Sequence, residues 1–232
     1  MPDARYSLTE RVRFLGSIPL FSGIREDVLK ELAQSAPLRK LDKGELLFYQ
    51  TDPSDAVYIV RAGCISLFLA TPDGREMVIN EMRPGDCFGE LGLVTGLPRS
   101  TGAVAREPSL ILRIPKEEFM EGLEAEPKLM RRVLRMTAQR LRVSSERESA
   151  LAFLDADARI ARILLLLHRQ TEGRGVVRIT QEELAQFAGL IRQTVAKTLS
   201  KWRSEGWIET GRGKIILKDI RALEELTKEF EI

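Results

Sequence analysis

Two sets of residues in this chain have the types and spacing to do chemistry. The first is Phe88-Gly89-Glu90-Leu91-Gly92-Leu93, followed by Pro98-Arg99-Ser100. Gly-Glu-Leu-Gly-Leu suits a strand that turns into a short helix, whose first backbone N–H groups point outward and bind an anion. Arg99 returns a cation that can fork onto a phosphate, and the Ser100 hydroxyl adds a donor. Glu90 supplies an acceptor suited to a sugar hydroxyl. A carboxylate, an arginine and free amides around an apolar cup fit a phosphorylated ribose better than a bare phosphate. The plainer alternative is that Glu90 and Arg99 form a structural ion pair with each other.

The second set is Arg192, Gln193, Thr194 and Lys197 at the start of a predicted helix, with Arg212 and Lys214 further on. Arg and Lys can donate to guanine and Gln can pair with adenine, so this is a usable base-reading set. Thr180-Gln181-Glu182-Glu183 has the capping-box form and predicts a helix beginning at Gln181. Gly189 ends it. The next helix runs from about Arg192 to Glu205, with Val195, Leu199 and Trp202 on one face. Helix, turn and helix is the helix-turn-helix layout, in which the first turns of the second helix meet base edges. Thr210 to Leu217 reads as a two-stranded wing whose basic tip would lie near phosphates. The alternatives are a solvated face for the charged residues and core packing for Trp202 and Trp207.

The elements that position these sets change along the chain. Leu8 to Ala36 reads as short helices broken at Gly16, Pro19 and Gly23. From Leu38 to about Pro115, short β-rich runs such as Ala56 to Val60 and Ile65 to Leu69 alternate with turn signals. Pro72-Asp73-Gly74 among them predicts a hairpin into Met77-Val78-Ile79. This spacing predicts an antiparallel barrel or jelly roll. After Pro127 no Gly or Pro occurs until past Leu154. Leu129, Val133, Met136, Arg140, Val143, Arg147 and Leu151 follow helical spacing, with Leu134 and Leu141 flanking the stripe. Such a helix predicts dimerisation, or alternatively packing along its own barrel. Helical Ala158 to Arg169, a strand Val176 to Ile179 and a last helix from about Asp219 to Phe230 complete the reading. The expected domains are 1–126, 127–154 and 155–232, and the fold class is α+β.

Composition supports this division. The 232 residues carry a formal net charge of +2. By segment, residues 1–126 carry −5, 127–155 +4, 156–218 +6 and 219–232 −3, so a near-neutral total conceals a basic module. Cys64 and Cys87 form no C-x-x-C pair, and His168 is the single histidine. No metal site is expected, and catalysis of the kind that draws on several imidazoles is disfavoured. The longest aliphatic run, Ile163 to Leu167, falls far short of the ~20 residues that span a bilayer, so no membrane role and a cytoplasmic location are expected.

The chain also resembles the cyclic-AMP receptor protein branch of the bacterial receptor/fumarate-nitrate-regulator superfamily, from about Leu15 to Leu217. The residues that carry the resemblance are the Phe88–Leu93 and Pro98–Ser100 cassette and Arg140-Leu141-Arg142-Val143-Ser144-Ser145-Glu146. Leu151-Ala152-Phe153-Leu154-Asp155 is similar to the family's hinge, and Ile179 onward to its helix-turn-helix. The resemblance implies a β-roll sensor, a long dimerisation helix and a winged helix-turn-helix. It implies cyclic AMP as allosteric ligand, with Glu90 on the ribose 2′-hydroxyl, Arg99 and Ser100 on the phosphate with help from the amides around Gly89 and Leu91, and Ser144 on the purine. Ser145 would reach the purine across the dimer.

It further implies duplex DNA and RNA polymerase as partners of a homodimer acting on a pseudo-palindromic operator. Gln193 stands where the branch has Glu and Lys197 where it has Arg, so base preference should differ. Ile191 replaces a hydroxyl residue and removes a cap and phosphate donor. Two cysteines are too few for an iron–sulfur cluster, and His168 lies outside the sensor where a haem ligand would be needed. Cyclic GMP, another effector, no effector, or a module acting only through protein partners remain as alternatives. A phosphodiesterase would need the histidine–carboxylate cluster that this chain lacks.

Overall fold

The structure is a computed structural model that describes residues 7–71, 76–170 and 175–228. Two compact units divide it, residues 1–140 and 141–232. The hairpin tip expected at Pro72-Asp73-Gly74 lies outside the described residues, as does Phe230.

The first unit opens with α1 (Leu8–Ser17), whose start is a capping box: the Ser7 hydroxyl accepts from the Glu10 amide and the Glu10 carboxylate accepts from the Ser7 amide. No break occurs at Gly16, which remains helical because it faces Leu29 of α2 (Glu26–Gln34); a Cβ there would lie 3.3 Å from a Leu29 methyl. Eight strands follow: β1 (Leu38–Leu41), β2 (Leu46–Phe48), β3 (Ala56–Ala62), β4 (Ile65–Ala70), β5 (Glu76–Met82), β6 (Cys87–Phe88), β7 (Gly102–Ala105) and β8 (Ser109–Pro115). They form two antiparallel four-stranded sheets, ordered β1-β8-β3-β6 and β2-β7-β4-β5. The short helix α3 (Glu90–Thr95) interrupts the strands, and α4 (Lys116–Ala125) follows them. Strand β7 carries little sequence signal because it is Gly-Ala-Val-Ala. Its first residue must be small, since the Phe68 ring occupies the space a Cβ would need.

Strand β3 organises this unit. Residues Ala56 to Val60 are all buried, but their side chains alternate between two cores. Val57 and Ile59 join Leu32, Phe119 and Leu129 in a helical core, whereas Tyr58 and Val60 join Phe88 and Ile111 inside the roll. The helix α5 (Pro127–Phe153) contributes Leu129, Val133 and the partly buried Met136 to the helical core. The early part of the helical stripe therefore packs on its own unit, as the alternative reading of that helix held. Met130 and Leu134 instead face solvent.

In the second unit, α6 (Ala156–Gln170) begins where Asp155 accepts from the Ala158 amide at 2.8 Å. Strand β9 (Val176–Val177), shorter than the expected Val176–Ile179, pairs with β11 (Lys214–Leu217), which pairs with β10 (Ile208–Gly211). Helices α7 (Gln181–Ala188) and α8 (Arg192–Ser204) form the helix-turn-helix around buried Leu184, Val195, Leu199 and Trp202. The last helix, α9 (Ile220–Glu225), is shorter than expected and buries Leu223. The fold class is α+β, a jelly-roll-like β domain followed by a long helix and a winged helix-turn-helix. Among the described residues, no helix is long and apolar enough to cross a membrane and no group of three metal-ligating side chains forms.

Candidate functional site

The cassette hangs between the two cores of the first unit. Phe88 closes β6 inside the roll, and Leu93 of α3 enters the helical core. Between them Gly89 turns the chain with φ of 85°, a left-handed conformation that strongly favours glycine; a Cβ there would sit 2.6 Å from an Arg99 nitrogen. The turn buries Glu90 (2 % exposed), and Arg99 (4 % exposed) is buried as well.

These two charged groups do not pair with each other. Arg99 donates from Nη1 to the Gly89 carbonyl at 3.0 Å and from Nη2 to Asp55 at 3.0 Å. Its backbone is fixed by the turn before β3, donating to the Asp52 carbonyl at 2.8 Å and accepting from the Thr51 amide at 2.9 Å. Its Nε–H is buried without a hydrogen-bond partner among the described residues. Buried N–H groups are satisfied in the great majority of cases; the Nε–H groups of Arg11 and Arg159 are left over in the same way, so it is the place of Arg99 against the Gly89 turn that singles out its donor. Glu90 accepts from Arg140 of α5 at 2.7 Å through Oε1, and Arg140 also donates to the Cys87 carbonyl. The Glu90 Oε2 atom takes no hydrogen bond among the described residues. Ser100 and Leu91 lie exposed beside this pair.

Two members of the site carried no signal of this role in the sequence. Arg140 stood as a polar interruption in an apolar stripe and as the first residue of the segment to Glu146 that carries the family resemblance, with no contact to Glu90 expected. Asp55 stood before a predicted strand, yet it holds both Arg99 and Arg113, the latter at 2.7 Å. The register explains the meeting: Tyr58 of β3 pairs with Phe88 on one side and Arg113 of β8 on the other, so the three strands deliver one row of side chains to this end of the sheet. Burial raises the Asp55 carboxyl, but the Arg113 hydrogen bond and the charges of Arg113 and Arg99 outweigh it and hold the group below the usual carboxylate range. A depressed folded-state pKa stabilises above the unfolded value and is lost as pH falls through the folded one. Urea unfolding at pH 7 and pH 3 should therefore show wild type ahead of Asp55→Asn at neutral pH and the difference closing in acid. An equal difference at both pH values would contradict this.

Cys87, beside Glu90, is buried and its thiol is pushed far up by desolvation; Cys64 is pushed up to about 11 by the same cause. Neither is a thiolate at neutral pH. On the portion of α5 in the second unit, Ser144 and Ser145 are exposed, and the Ser144 hydroxyl donates to Glu148 at 3.4 Å.

The nucleic-acid candidates occupy the second unit. Arg192, Gln193 and Lys197 are exposed on α8, and Thr194 is half-buried. Thr180 caps α7, its hydroxyl accepting from the Glu183 amide. Arg212 and Lys214 are exposed at the β10–β11 turn, and Lys218 pairs with Glu209 at 2.8 Å across that hairpin. Behind α8, Asp157 accepts from Thr198 at 2.7 Å and from Lys201 at 3.0 Å. The hydrogen bond to Asp157 and the charge of that carboxylate raise the Lys201 ammonium above its ordinary value.

The cyclic nucleotide-binding domain model matches residues 38–126 and the Crp-like helix-turn-helix domain model residues 158–226. The cyclic AMP receptor protein of Thermus thermophilus is 33% identical over 209 residues, covering 90% of this chain and 96% of its own. The solved Thermus thermophilus catabolite activator protein is 31% identical with a TM-score of 0.52, covering 92% of this chain and 100% of that one. The c-di-GMP-responsive global regulator CLP of Xanthomonas campestris, 23% identical with a TM-score of 0.75 over 83% of this chain and 99% of that one, shares the fold. A cyclic nucleotide-binding domain joined to a Crp-like helix-turn-helix, in a chain that aligns along nearly its whole length with the Thermus receptor, places this protein in the CRP/FNR family of transcription regulators.

Proposed function

We propose that the chain is a cyclic-AMP-responsive regulator that binds a pseudo-palindromic operator as a homodimer. The observation that carries the reading is the separate anchoring of Glu90 and Arg99. Each is buried and held by its own partner, so a carboxylate oxygen and a guanidinium N–H remain for a ligand bearing a hydroxyl and a phosphate. Glu90 takes the ribose hydroxyl, Arg99 and Ser100 the phosphate with the Gly89 and Leu91 amides, Ser144 the purine, and Ser145 the purine across the dimer. Arg140 joins this set by fixing Glu90.

Exposed apolar residues on α5 support the dimer. Met130, Leu134 and Leu141 face solvent, and the intervals Met130–Thr137–Ser144–Leu151 and Leu134–Leu141–Glu148 are heptads. Arg192, Gln193, Thr194 and Lys197 read bases, while Thr180, Arg212 and Lys214 meet phosphates. RNA polymerase is the further partner and the cytoplasm the location. The functional segments are the sensor 1–126, the dimerisation helix 127–154 and the DNA module 155–232.

Titration calorimetry with cyclic AMP, cyclic GMP and c-di-GMP, followed by DNA binding over a salt series, tests the proposal. Cyclic AMP should bind best and tighten DNA binding, by linkage about 1–3 kcal/mol. The logarithm of DNA affinity should fall with that of salt by about 0.9 per phosphate contacted, and replacing Lys214 with Ala should lower the slope by about one contact. Absence of cyclic-nucleotide binding sinks the sensor half; a salt-insensitive complex, or none, sinks the DNA half.

A further inference from the structure

The Arg99 guanidinium lies over an aromatic surface. Its Cζ is 4.4 Å from the centroid of Phe48 and 5.3 Å from that of Tyr58. The two rings stack at 5.6 Å, and Phe88 backs Tyr58 at 5.5 Å. Phe48 reaches this position through an irregularity in its strand: the pairing of β2 with β7 shifts register between Leu46 and Phe48. A shift of this kind re-aims the side chain at which it occurs. Leu47 and Phe48, adjacent in sequence, are consequently both buried in the roll core, against the alternation of a regular strand.

An aliphatic residue would fill the same core volume. Only an aromatic face also attracts a cation, through its quadrupole, and the attraction is strongest where water is excluded. The other restraints on Arg99 act at the edges of its guanidinium. The Gly89 carbonyl and Asp55 hold the two terminal nitrogens, and Asp55 is more than half exposed and shared with Arg113. Those bonds hold the guanidinium by its terminal nitrogens, and the Phe48 ring, with Tyr58 further off, lies against its face.

We infer that Phe48 is a positioning residue, setting the plane in which the Arg99 guanidinium meets an anionic ligand; this rests on the cup being the cyclic-nucleotide site. Phe48 does not touch the phosphate. It acts by keeping the Nε–H aimed, so that a ligand does not have to order the guanidinium on binding.

The full-length protein and its Phe48→Leu, Phe48→Met and Phe48→Tyr variants test the inference, with thermal melts reporting that each folds. In the free protein, ¹H–¹⁵N spectra should show the Arg99 Nε–H proton shifted upfield by the ring in wild type and Phe48→Tyr, and shifted back in the other two. A wild-type Nε–H without the ring-current shift overturns the inference whether or not the variants fold. Calorimetry should show cyclic-AMP affinity in Phe48→Leu and Phe48→Met weakened by roughly three- to thirtyfold, and kept in Phe48→Tyr. The two phosphorothioate diastereomers of cyclic AMP place sulfur at different phosphate positions. Wild type should discriminate between them, and the aliphatic variants should lose much of that ratio, which a change in stability alone would not alter. Folded aliphatic variants with wild-type affinity and diastereomer ratio overturn the positioning role. Wild-type protein that binds no cyclic nucleotide, yet shows the shifted Nε–H, overturns the ligand reading while leaving the stacking in place.

Discussion

Arg99→Ala should weaken cyclic-AMP binding by about a hundredfold or more while leaving the first unit folded. Truncating one member of a buried, hydrogen-bonded charge contact to a ligand costs about 2–5 kcal/mol, much of it from the charge left unmatched. The protein side of the loss is milder. Asp55 keeps Arg113 at 2.7 Å, and the Gly89 carbonyl loses one donor. The effect should therefore concentrate in ligand affinity. Lysine should not rescue it, because a single ammonium cannot hold Gly89 and Asp55 and present a further N–H in one plane. Calorimetry on Arg99→Ala and Arg99→Lys, with melting temperatures alongside, checks both statements. Near-wild-type affinity in the alanine variant would remove Arg99 from the site.

Arg140→Met should be the most destabilising single change in the first unit that removes no core volume. Glu90 is 2 % exposed and Arg140 is its ion-pair partner at 2.7 Å. Breaking a buried pair by removing one member costs about 3–5 kcal/mol, because the remaining charge is uncompensated. Methionine preserves most of the apolar stem, so the loss is electrostatic. The double variant Glu90→Gln/Arg140→Met removes both charges and should recover most of that stability, giving a coupling energy in urea unfolding. It should not recover ligand binding, since the ribose acceptor is gone. If Arg140→Met unfolds at the wild-type urea concentration, or the double variant is no better than the single, the pair contributes nothing to the fold.

What could be read from the sequence was whatever local spacing determines. The cassette was legible because Gly89, Glu90, Arg99 and Ser100 lie close together in the chain. The helix-turn-helix was legible because a capping box, a glycine stop and a 3-to-4 apolar spacing are local rules, and α7 and α8 obey them. Asp55, Phe48 and Arg140 were not legible as members of the site. Their partners arrive through strand register and a helix more than forty residues distant, as the pairings of Arg99 with Asp55 and Arg140 with Glu90 show. The apolar stripe of α5 left two readings open for a related reason. Periodicity marks a face without saying what covers it, and the Leu129, Val133 and Met136 face is covered by the unit's own core. The exposed Met130 and Leu134 lie one position further on.

The two helices of the helix-turn-helix begin differently, in how their first-turn N–H groups are met. Thr180 closes the first turn of α7 with a reciprocal capping box, whereas α8 starts at Ile191, which offers no side-chain acceptor and is 53 % exposed. The Ile191 carbonyl accepts from both the Thr194 amide at 3.0 Å and the Val195 amide at 3.4 Å, a shared closure of the first turn. The rear of α8 is anchored by Val195, Leu199 and Trp202 and by the bonds of Thr198 and Lys201 to Asp157. The end of α8 that carries Arg192 and Gln193 therefore keeps first-turn N–H groups that no side-chain cap claims.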